Sequence, residues 1–375
     1  MHSFYELFMI TDIKGIDVKL LSRVYDRGSR DSFVSLYISF DRNYMDFIRK
    51  RVNACKLVLK NDKVLLENLE KSMEDVYRFL KDRENGQKGA VVFASSLNGF
   101  FKGYRVYPGV ENLFVVDTSP YIRPVVELLD DYETFGLVVL DNHRARIYVV
   151  SADRVERGKK ISEDVLNKHR KGGWSQARFQ RIRKGEIKHF LKEVSQYVSK
   201  IFSEDNIEKI VVAGPGGAKN WLMDYLPEDI RRKVVDLLDV DFDDVDAVSD
   251  AEGVVAREDE MEKIQEVARL KGEILRGGLA VYGLNDVIDA VRNGKMELLL
   301  VNRGVKVKGW ICEKCQVIKP GFMVKCPYCG SRTSEVDVVE EIIEFAERTD
   351  ARVEFLDDNE ILKELGGVGG LLRFK

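Results

Sequence analysis

The residues best suited to chemistry lie in one basic stretch, residues 168–184, which reads KHRKGGWSQARFQRIRK. The stretch contains seven Lys or Arg residues and no Asp or Glu, although the formal net charge of the chain is only −3. Gly172 and Gly173 allow backbone conformations that other residues avoid, and they let the chain approach a surface closely. A cationic segment of this kind is suited to a phosphate-rich environment. An ordinary surface loop before a solvated helix is the simpler alternative.

The residues that follow predict the helix that must position this loop. From Ser175 onward, apolar side chains recur at the spacing of one helix face, at Phe179, Ile182, Ile187, Phe190, Leu191, Val194, Val198 and Ile201. Basic residues fall on another side of this helix. The candidate RNA-binding residues are therefore Lys168, Arg170, Lys171, Trp174, Arg178, Arg181 and Lys188. Trp174 could stack on a nucleobase or anchor the loop by packing, and the sequence leaves both open.

A second candidate site comes from four of the five cysteines. Cys312 and Cys315 form one CxxC pair, Cys326 and Cys329 form another, and ten residues separate the pairs. This spacing predicts a zinc ribbon at about residues 308–332, in which four thiolates close the coordination of a structural Zn²⁺. A redox dithiol and four unrelated cysteines are the alternatives. Trp310, just before the first pair, could face RNA or a protein, or could pack.

Length and composition limit the class of protein. A chain of 375 residues predicts two or three domains. Hydrophobic residues make up 45% of it and charged residues 33%, which is typical of a folded, soluble protein. The sequence has no apolar run of about 20 residues and no signal-peptide pattern, so we expect a cytoplasmic protein without a membrane partner.

Periodicity predicts an α/β chain. The expected strands are residues 33–40, 90–94, 135–141, 144–150, 210–213, 297–301 and 352–356; the expected helices are a hairpin at 44–80 with a turn at 60–63, then 258–276, 282–294 and 339–348. Residues 119–124 read as an extended linker, and residues 236–250 as an acidic surface connection. The glycine-rich turn Gly214–Lys219 lacks the spacing of a phosphate-binding loop, so we expect it to be structural.

The run from His169 to Phe179 resembles the Gly-Gly-Gln loop of the archaeal and eukaryotic class-I peptide-chain release factors. That loop reads His-Gly-x-Gly-Gly-Gln-Ser-Ala-x-Arg-Phe, and the glycine pair, Ser175, Arg178 and Phe179 match it in register. Trp174 stands where the family has its glutamine, and Gln176 follows two residues later. This Gly-Gly-Trp-Ser-Gln form resembles divergent relatives linked to ribosome rescue and quality control.

The resemblance implies a three-domain α/β architecture. Residues 1–132 would form an N-terminal α+β domain with a helical hairpin, and residues 133–272 an RNase H-like middle domain that carries the loop. Residues 273–375 would form an α/β C-terminal domain with the zinc ribbon inserted. The N-terminal region contains neither the Asn-Ile-Lys-Ser nor the Tyr-x-Cys-x-x-x-Phe signature of codon reading, which puts ordinary termination in doubt.

The resemblance also implies a function: hydrolysis of the peptidyl-tRNA ester inside the ribosomal peptidyl transferase centre. Gly172, Gly173 and Gln176 would be the catalytic residues, with a Gln176 amide that can both donate to and accept from a water. The implied partners are ribosomal RNA and peptidyl-tRNA, with a translational GTPase or a recycling ATPase as a further candidate. The alternatives are a stop-codon-dependent termination factor, an RNA or tRNA nuclease, and a ribosome adaptor without catalytic activity.

Overall fold

The computed structural model describes residues 15–26, 28–81, 87–107, 109–151, 154–162 and 175–375, with residues 154, 156, 157, 162 and 175–184 described by their backbone alone. The chain is a mixed α/β protein, as the sequence predicts, and the described residues form four sheets. It divides into two compact units: one is Tyr132–Ile264, and the other combines Met1–Asp131 with Gln265–Lys375. In the part of the chain that the structure describes, no helix has the length and apolar character needed to cross a membrane.

The helices are α1 (Val18–Ser22), α2 (Tyr44–Leu59), α3 (Lys63–Lys81), α4 (Arg123–Asp131), α5 (Ser175–Glu204), α6 (Ala218–Met223), α7 (Glu228–Arg231), α8 (Ala247–Arg276), α9 (Leu284–Arg292), α10 (Val338–Arg348) and α11 (Glu360–Glu364). The strands are β1 (Phe33–Ser39), β2 (Gly89–Ser95), β3 (Phe100–Val106), β4 (Leu113–Asp117), β5 (Phe135–Leu140), β6 (Arg144–Ser151), β7 (Arg154–Ser162), β8 (Lys209–Ala213), β9 (Val234–Leu238), β10 (Ala280–Tyr282), β11 (Met296–Asn302), β12 (Lys308–Cys312), β13 (Val317–Pro320), β14 (Ser334–Asp337), β15 (Arg352–Leu356) and β16 (Val368–Leu372).

The N-terminal part is an antiparallel sheet in the order β3-β2-β1-β4, covered by the helical hairpin α2–α3. Strand β1 and the hairpin confirm the prediction for residues 33–80. Asn68, buried on α3, ties the hairpin to the sheet: its Nδ2 donates to the Ser32 carbonyl at 2.7 Å, and its Oδ1 accepts from Leu97 N at 2.7 Å. A buried amide that uses both its donor and its acceptor fixes one helix orientation.

The C-terminal part contains two sheets. One has the order β10-β16-β11-β15, in which β11 and β15 run parallel and β16 pairs antiparallel with its neighbours. The other is the small antiparallel sheet β13-β12-β14, which carries the cysteines. The predicted elements are present as α9, β11, α10 and β15, except that Tyr282 ends strand β10 instead of opening a helix. Strands β10 and β16 and helix α11 were not predicted. Gly283, at φ 75°, separates β10 from α9.

The prediction of an extended linker at residues 119–124 is wrong at its C-terminal end, because helix α4 begins at Arg123. Hydrogen bonds to helix α10 hold this segment in place. The N–H groups of Ile122 and Arg123 both donate to Glu340 Oε1, at 2.9 and 3.2 Å, and Ser119 Oγ donates to Glu344 at 3.0 Å. Arg123 starts helix α4, so Glu340 caps that helix from another element. Burial raises the pKa of Glu340 well above its usual range and that of Glu344 to about 7. Contacts between residues more than 200 positions apart are not readable from local pattern.

The second unit is built on a five-stranded sheet in the order β7-β6-β5-β8-β9. Strands β7, β6 and β5 pair antiparallel, and β5, β8 and β9 pair parallel. Helix α5 packs on one face, where its buried residues Phe190, Val194 and Phe202 meet Val138 and Ile147. The start of α8 covers the other face through Ala247, Ala251, Val254 and Val255.

Two elements of this unit differ from the prediction for residues 236–250. Strand β9 ends within that acidic segment, at Leu238, and α8 begins at Ala247, well before the predicted Glu258. Strand β9 and helix α8 extend into this segment because apolar residues lie between its acidic residues. Those on α8 recur every three or four positions and cover the sheet, so burial determines where the helix starts in spite of the local charge.

Gly136, in strand β5, sets how closely α5 approaches the sheet. A Cβ atom at this position would lie 2.5–2.8 Å from ring atoms of Phe202. The Phe202 ring is fully buried and cannot turn away without leaving a void. The absence of a side chain at Gly136 therefore lets the C-terminal part of α5 pack directly on the strand.

We expect Gly136→Ala to destabilise the protein by about 1–3 kcal/mol, because overpacking forces α5 away from the sheet. Adding Phe202→Leu should recover part of that loss, so the two substitutions will be non-additive in a double-mutant cycle measured by urea denaturation. Gly253→Ala is the matched control: this exposed glycine of α8 has open space beside it, and alanine should raise stability by up to about 1 kcal/mol. Additive losses for Gly136→Ala and Phe202→Leu would contradict this explanation.

Candidate functional site

The predicted loop lies mostly outside the described residues. Lys168, Arg170, Lys171, Gly172, Gly173 and Trp174 belong to that part of the chain. Gln176, Arg178 and Arg181 have a described backbone in α5 but no described side chain, and Lys188 is exposed. The structure therefore leaves the contacts of these loop side chains as predictions, while it describes the element that carries them.

Helix α5 begins at Ser175, as the periodicity predicts, and continues to Glu204. Its 30 residues correspond to a rod of roughly 45 Å. The distal two-thirds are anchored: Phe190, Leu191 and Val194 are buried on the sheet, and Ser195 Oγ donates to the Tyr225 carbonyl at 2.8 Å. The helix thus holds the C-terminal end of the loop on a rigid support.

Gln176 is the second residue of α5. Its backbone therefore has helical geometry, and only its side chain can reach beyond the first turn. The N-terminal N–H groups of a helix lack intrahelical acceptors and carry partial positive charge. No acidic residue lies in the first turn of α5 to neutralise that charge. The loop consequently joins the positive end of a long helix.

A groove of about 570 Å³ runs along the described part of α5. It is lined by His189, Lys192, Glu193, Gln196, Tyr197 and Lys200. The Lys159 ammonium on β7 lies 5.0 Å from the centre of the Tyr197 ring, within cation–π range. Sequence reasoning placed Lys192 on the basic side of the helix but missed its neighbours. Their spacing on one helix face was the signal available for finding them.

The glycine-rich turn after β8 is closed by its own lysine. Lys219 Nζ donates to the carbonyls of Gly214 and Gly216, at 2.9 and 3.0 Å, and also pairs with Asp239. A phosphate-binding loop must aim N–H groups and a lysine outward at the ligand. Here the lysine points into the turn, which agrees with the structural role expected from the sequence.

Three carboxylates of the second unit converge on one lysine. Glu133 and Glu262 lie 2.9 and 2.7 Å from Lys209 Nζ, and Asp259 is a third partner. The Lys209 side chain is only 9% exposed. Burial raises the pKa of Glu133 to about 7. The ammonium occupies the position that a cation would take between these acids, so the cluster is an internal ion-pair network.

The four cysteines of the two CxxC pairs come together at one end of the small sheet. Their sulfur atoms all lie within 4.8 Å of one another. Cys312 Sγ is 3.4 Å from Cys329 Sγ, and Cys315 Sγ is 3.5 Å from Cys326 Sγ. Bonds of about 2.3 Å to a tetrahedral ion would place sulfurs roughly 3.8 Å apart. The donor set and its compactness fit a metal ion held by four thiolates.

The two CxxC turns have the same backbone form. The N–H of Gln316 donates to the Cys312 carbonyl at 2.7 Å, and that of Gly330 donates to the Cys326 carbonyl at 2.9 Å. Both residues have positive φ, 54° and 71°. Each turn therefore ends in a left-handed residue that aims its two sulfurs at a common point. The glycine was visible in the sequence, whereas Gln316 in the same role was not.

Trp310 packs against this cluster. It is 5% exposed and contacts Cys312 and Cys326. Of the two possibilities that the sequence left open, packing is the one observed. The indole covers one side of the sulfur cluster and is not available to a nucleobase.

Two segments of the chain, which together span residues 120–375, match known protein families. Residues 120–263 match the family described as bacterial archaeo-eukaryotic release factor family 10. Residues 260–375 match the family described as eRF1 domain 3. The first match covers the unit that contains α5, and the second covers the cysteine cluster.

Similarity to curated proteins extends over almost the whole chain. Peptide chain release factor subunit 1 of Archaeoglobus fulgidus is 28% identical over 386 residues, which cover 93% of this chain and 94% of that protein. The protein of the same name from Thermococcus onnurineus is 26% identical over 392 residues, with coverage of 93% and 94%.

Solved structures with local similarity include an archaeal translation termination factor, aRF1, with 19% identity, coverage of 95% and 96%, and a TM-score of 0.29. Dom34 of Saccharomyces cerevisiae has 13% identity, coverage of 76% and 80%, and a TM-score of 0.43. With global superpositions this low, family membership rests on the sequence matches. On those matches, the chain is a member of the archaeal and eukaryotic class-I peptide-chain release factor superfamily.

Proposed function

We propose that this protein binds the ribosome and promotes hydrolysis of peptidyl-tRNA during the rescue of stalled ribosomes. The observation that carries the proposal is the acid-free Gly-Gly-Trp-Ser-Gln segment at the N-terminus of α5, in a member of this superfamily. Relatives that are similar over nearly the whole chain bear the name peptide chain release factor subunit 1. A ribosomal partner would make the protein cytoplasmic.

Helix α5 would act as a rigid support that delivers the loop to the ester bond. The length of α5 and its packing on the sheet support this proposal, because they would hold the loop at a fixed distance from the body of the unit. The groove beside Lys188, with Lys192 and Lys200 on its rim, would contact RNA phosphates along the way. The residues proposed for RNA contact within the loop are Lys168, Arg170, Lys171, Trp174, Arg178 and Arg181.

The chemistry would be an attack of water on the ester carbonyl, with the tRNA ribose oxygen as the leaving group. Gly172 and Gly173 would let the backbone approach the ester. Gln176 would position the water, because a carboxamide can accept a hydrogen bond from it and donate one to the ester. Trp174 has only an N–H donor and would instead dock the loop. The positive end of α5 would stabilise the developing oxyanion.

Release without a stop codon is the second part of the proposal. The N-terminal hairpin lacks both codon-reading signatures of the family. At its turn, the Asp62 carboxylate accepts from the N–H groups of Val64 and Leu65, at 3.1 and 3.0 Å, and so caps α3. The Asp62 carboxylate is thus used within the hairpin. A translational GTPase or a recycling ATPase would be the further partner that delivers the protein or follows it.

The nuclease alternative finds no support in the described residues. Within those ranges, the four cysteines are the one cluster of His, Cys, Asp or Glu with metal-binding proximity. The acids of the second unit that do converge, Glu133, Asp259 and Glu262, are paired with Lys209. The other alternative is a ribosome adaptor without catalytic activity. A measurement of peptide release by the unmodified protein distinguishes it from the proposed hydrolysis.

The ion at the cysteine cluster, in this proposal, is zinc with a structural role. Four thiolates at tetrahedral separations are the donors that Zn²⁺ takes in closed structural sites. Cys312, Cys315, Cys326 and Cys329 would fill its coordination and leave no position for a substrate. The ion would stabilise an insertion whose own core is little more than Trp310 and the cysteines.

We expect Cys326→Ser combined with Cys329→Ser to remove one equivalent of zinc per chain, measured by mass spectrometry of the metal content. Serine hydroxyls are poor zinc ligands, and two thiolates alone do not close the site. The loss should disorder the insertion while the second unit keeps its secondary structure. Cys55→Ser is the control and should retain the full metal content. Unchanged zinc in the double variant would contradict the assignment.

We expect Gln176→Ala to lower single-turnover peptide release about 100- to 1,000-fold with ribosome binding intact, because one positioned hydrogen-bonding group is lost. Trp174→Ala should instead weaken ribosome binding about 10- to 100-fold, the magnitude of a lost stacking contact. Gln180→Ala, one helical turn further on, is the matched control and should behave as the unmodified protein.

Three results of this experiment would contradict parts of the proposal. Full release by Gln176→Ala would leave backbone amides at Gly173 or Trp174 as the groups that position water. No release by the unmodified protein on any ribosomal complex would establish the adaptor alternative. Loss of release in Gln180→Ala would show that the substitutions disturb the helix and not a specific group.

A further inference from the structure

The segment between β13 and β14 of the cysteine-bearing insertion exposes several large apolar side chains. We call residues 321–332 the ribbon tip; it connects β13 to β14 and reads GFMVKCPYCGSR. Phe322 is 77% exposed, Tyr328 is 70% exposed, and Val324 is 56% exposed. Two exposed aromatic rings within seven residues indicate a contact surface, because single exposed apolar residues are common but local groups of them are not.

The ribbon tip is held in place despite its exposure. The N–H of Cys326 donates to the Ser331 carbonyl at 2.7 Å, and the N–H of Thr333 donates to the Val324 carbonyl at 3.3 Å. Cys326 itself is buried in the sulfur cluster. The exposed rings therefore flank an ordered turn, so a partner that uses them need not order the backbone first.

Two cations face each other across this turn. Lys325 and Arg332 are partners in an isolated antiparallel β-bridge, and both are exposed. Directly opposite positions place side chains on the same face, where like charges repel. The ribbon tip contains no Asp or Glu, and among the described residues neither cation forms a salt bridge. A repulsive pair that is held together without an acid is suited to an anion shared between the two.

We propose that the ribbon tip is a binding site for single-stranded RNA. The rings of Phe322 and Tyr328 would each stack on a base, and Lys325 with Arg332 would contact the phosphate that joins them. Exposed aromatic rings interleaved with cations are the combination that single-stranded nucleic acid requires. An apolar protein partner or a second copy of the chain would use the rings without requiring the cation pair.

This site is independent of the loop chemistry. Trp310, the aromatic residue of the insertion that the sequence suggested for RNA contact, is buried against the cysteines. The exposed rings are those of Phe322 and Tyr328 in the ribbon tip, and Tyr328 stands between Cys326 and Cys329 in the sequence. Binding there would add a contact to RNA whether or not the protein releases peptides.

The test measures binding of a fluorescein-labelled single-stranded RNA of about 12 nucleotides by anisotropy, with the full zinc-loaded chain. All variants carry Arg170→Gln, Lys171→Gln, Arg178→Gln and Arg181→Gln, which lowers RNA binding by the loop region equally in every variant. Phe322→Leu with Tyr328→Leu keeps apolar area but abolishes stacking. Phe322→Tyr with Tyr328→Trp keeps both aromatic faces.

We expect the leucine pair to weaken binding about 10- to 100-fold without changing the salt dependence, and the aromatic pair to bind within about threefold of the background protein. Lys325→Gln with Arg332→Gln should reduce the slope of log Kd against log salt by about 0.7, because the two cations share one phosphate. The same RNA in a duplex should bind more weakly than the single strand. Zinc content is measured for every variant.

Four outcomes would overturn the proposal. The first is binding of the single strand by the leucine pair as tightly as by the background protein, and the second is equal binding of duplex and single strand. The third is loss of zinc instead of RNA affinity in the lysine and arginine variant, which would make those cations counter-charges of the thiolates. The fourth is self-association of the background protein in sedimentation that the leucine pair loses, which would assign the rings to contact between copies.

Discussion

The packing of α5 on the sheet of the second unit is the interaction on which the proposed function depends. Residues 168–174 include a single large apolar side chain, Trp174, so their sequence offers little apolar surface to bury. They are followed by the first residue of a 30-residue helix, and that helix is held by Phe190, Val194 and Phe202 against strands β5 and β6. The close approach at Gly136 brings α5 directly onto strand β5, so the helix that follows the loop in the sequence is packed on the sheet.

Some cations of the chain are paired in its interior, whereas the cations of the two proposed RNA-binding surfaces are exposed. Lys209 and Lys219 are buried and satisfied by carboxylates and carbonyls of the chain itself. The cations of the α5 groove and of the ribbon tip lie on the surface. With a net charge of −3 overall, affinity for RNA must come from such local surfaces. A protein without a catalytic triad or dyad in its sequence would borrow most of its catalytic surroundings from the RNA it binds.

Local sequence patterns predict much of the fold. Hydrophobic periodicity predicts the helix from Ser175, the hairpin α2–α3 and the strands β1, β2, β5, β6, β8, β11 and β15. The cysteine spacing predicts the cluster that the structure shows. The predictions for residues 119–124 and 236–250 failed because contacts with residues distant in the sequence determine those structures. Glu340 caps α4 across more than 200 residues. Burial of Ala251 and Val254 extends α8 into an acidic segment. The Lys325–Arg332 pair depends on a turn closed by the cysteines, so neither residue stood out in the sequence. The loop side chains are the part of the candidate site that remains a prediction.

The most direct measurement is single-turnover release of labelled peptide from ribosomes whose A site holds a stop codon, a sense codon or no codon. Because the N-terminal hairpin lacks codon-reading signatures, we predict release at similar rates, within about threefold, in all three complexes; for comparison, a tenfold difference in rate corresponds to about 1.4 kcal/mol of activation free energy. Release confined to the stop-codon complex would contradict the rescue function and make the protein a termination factor.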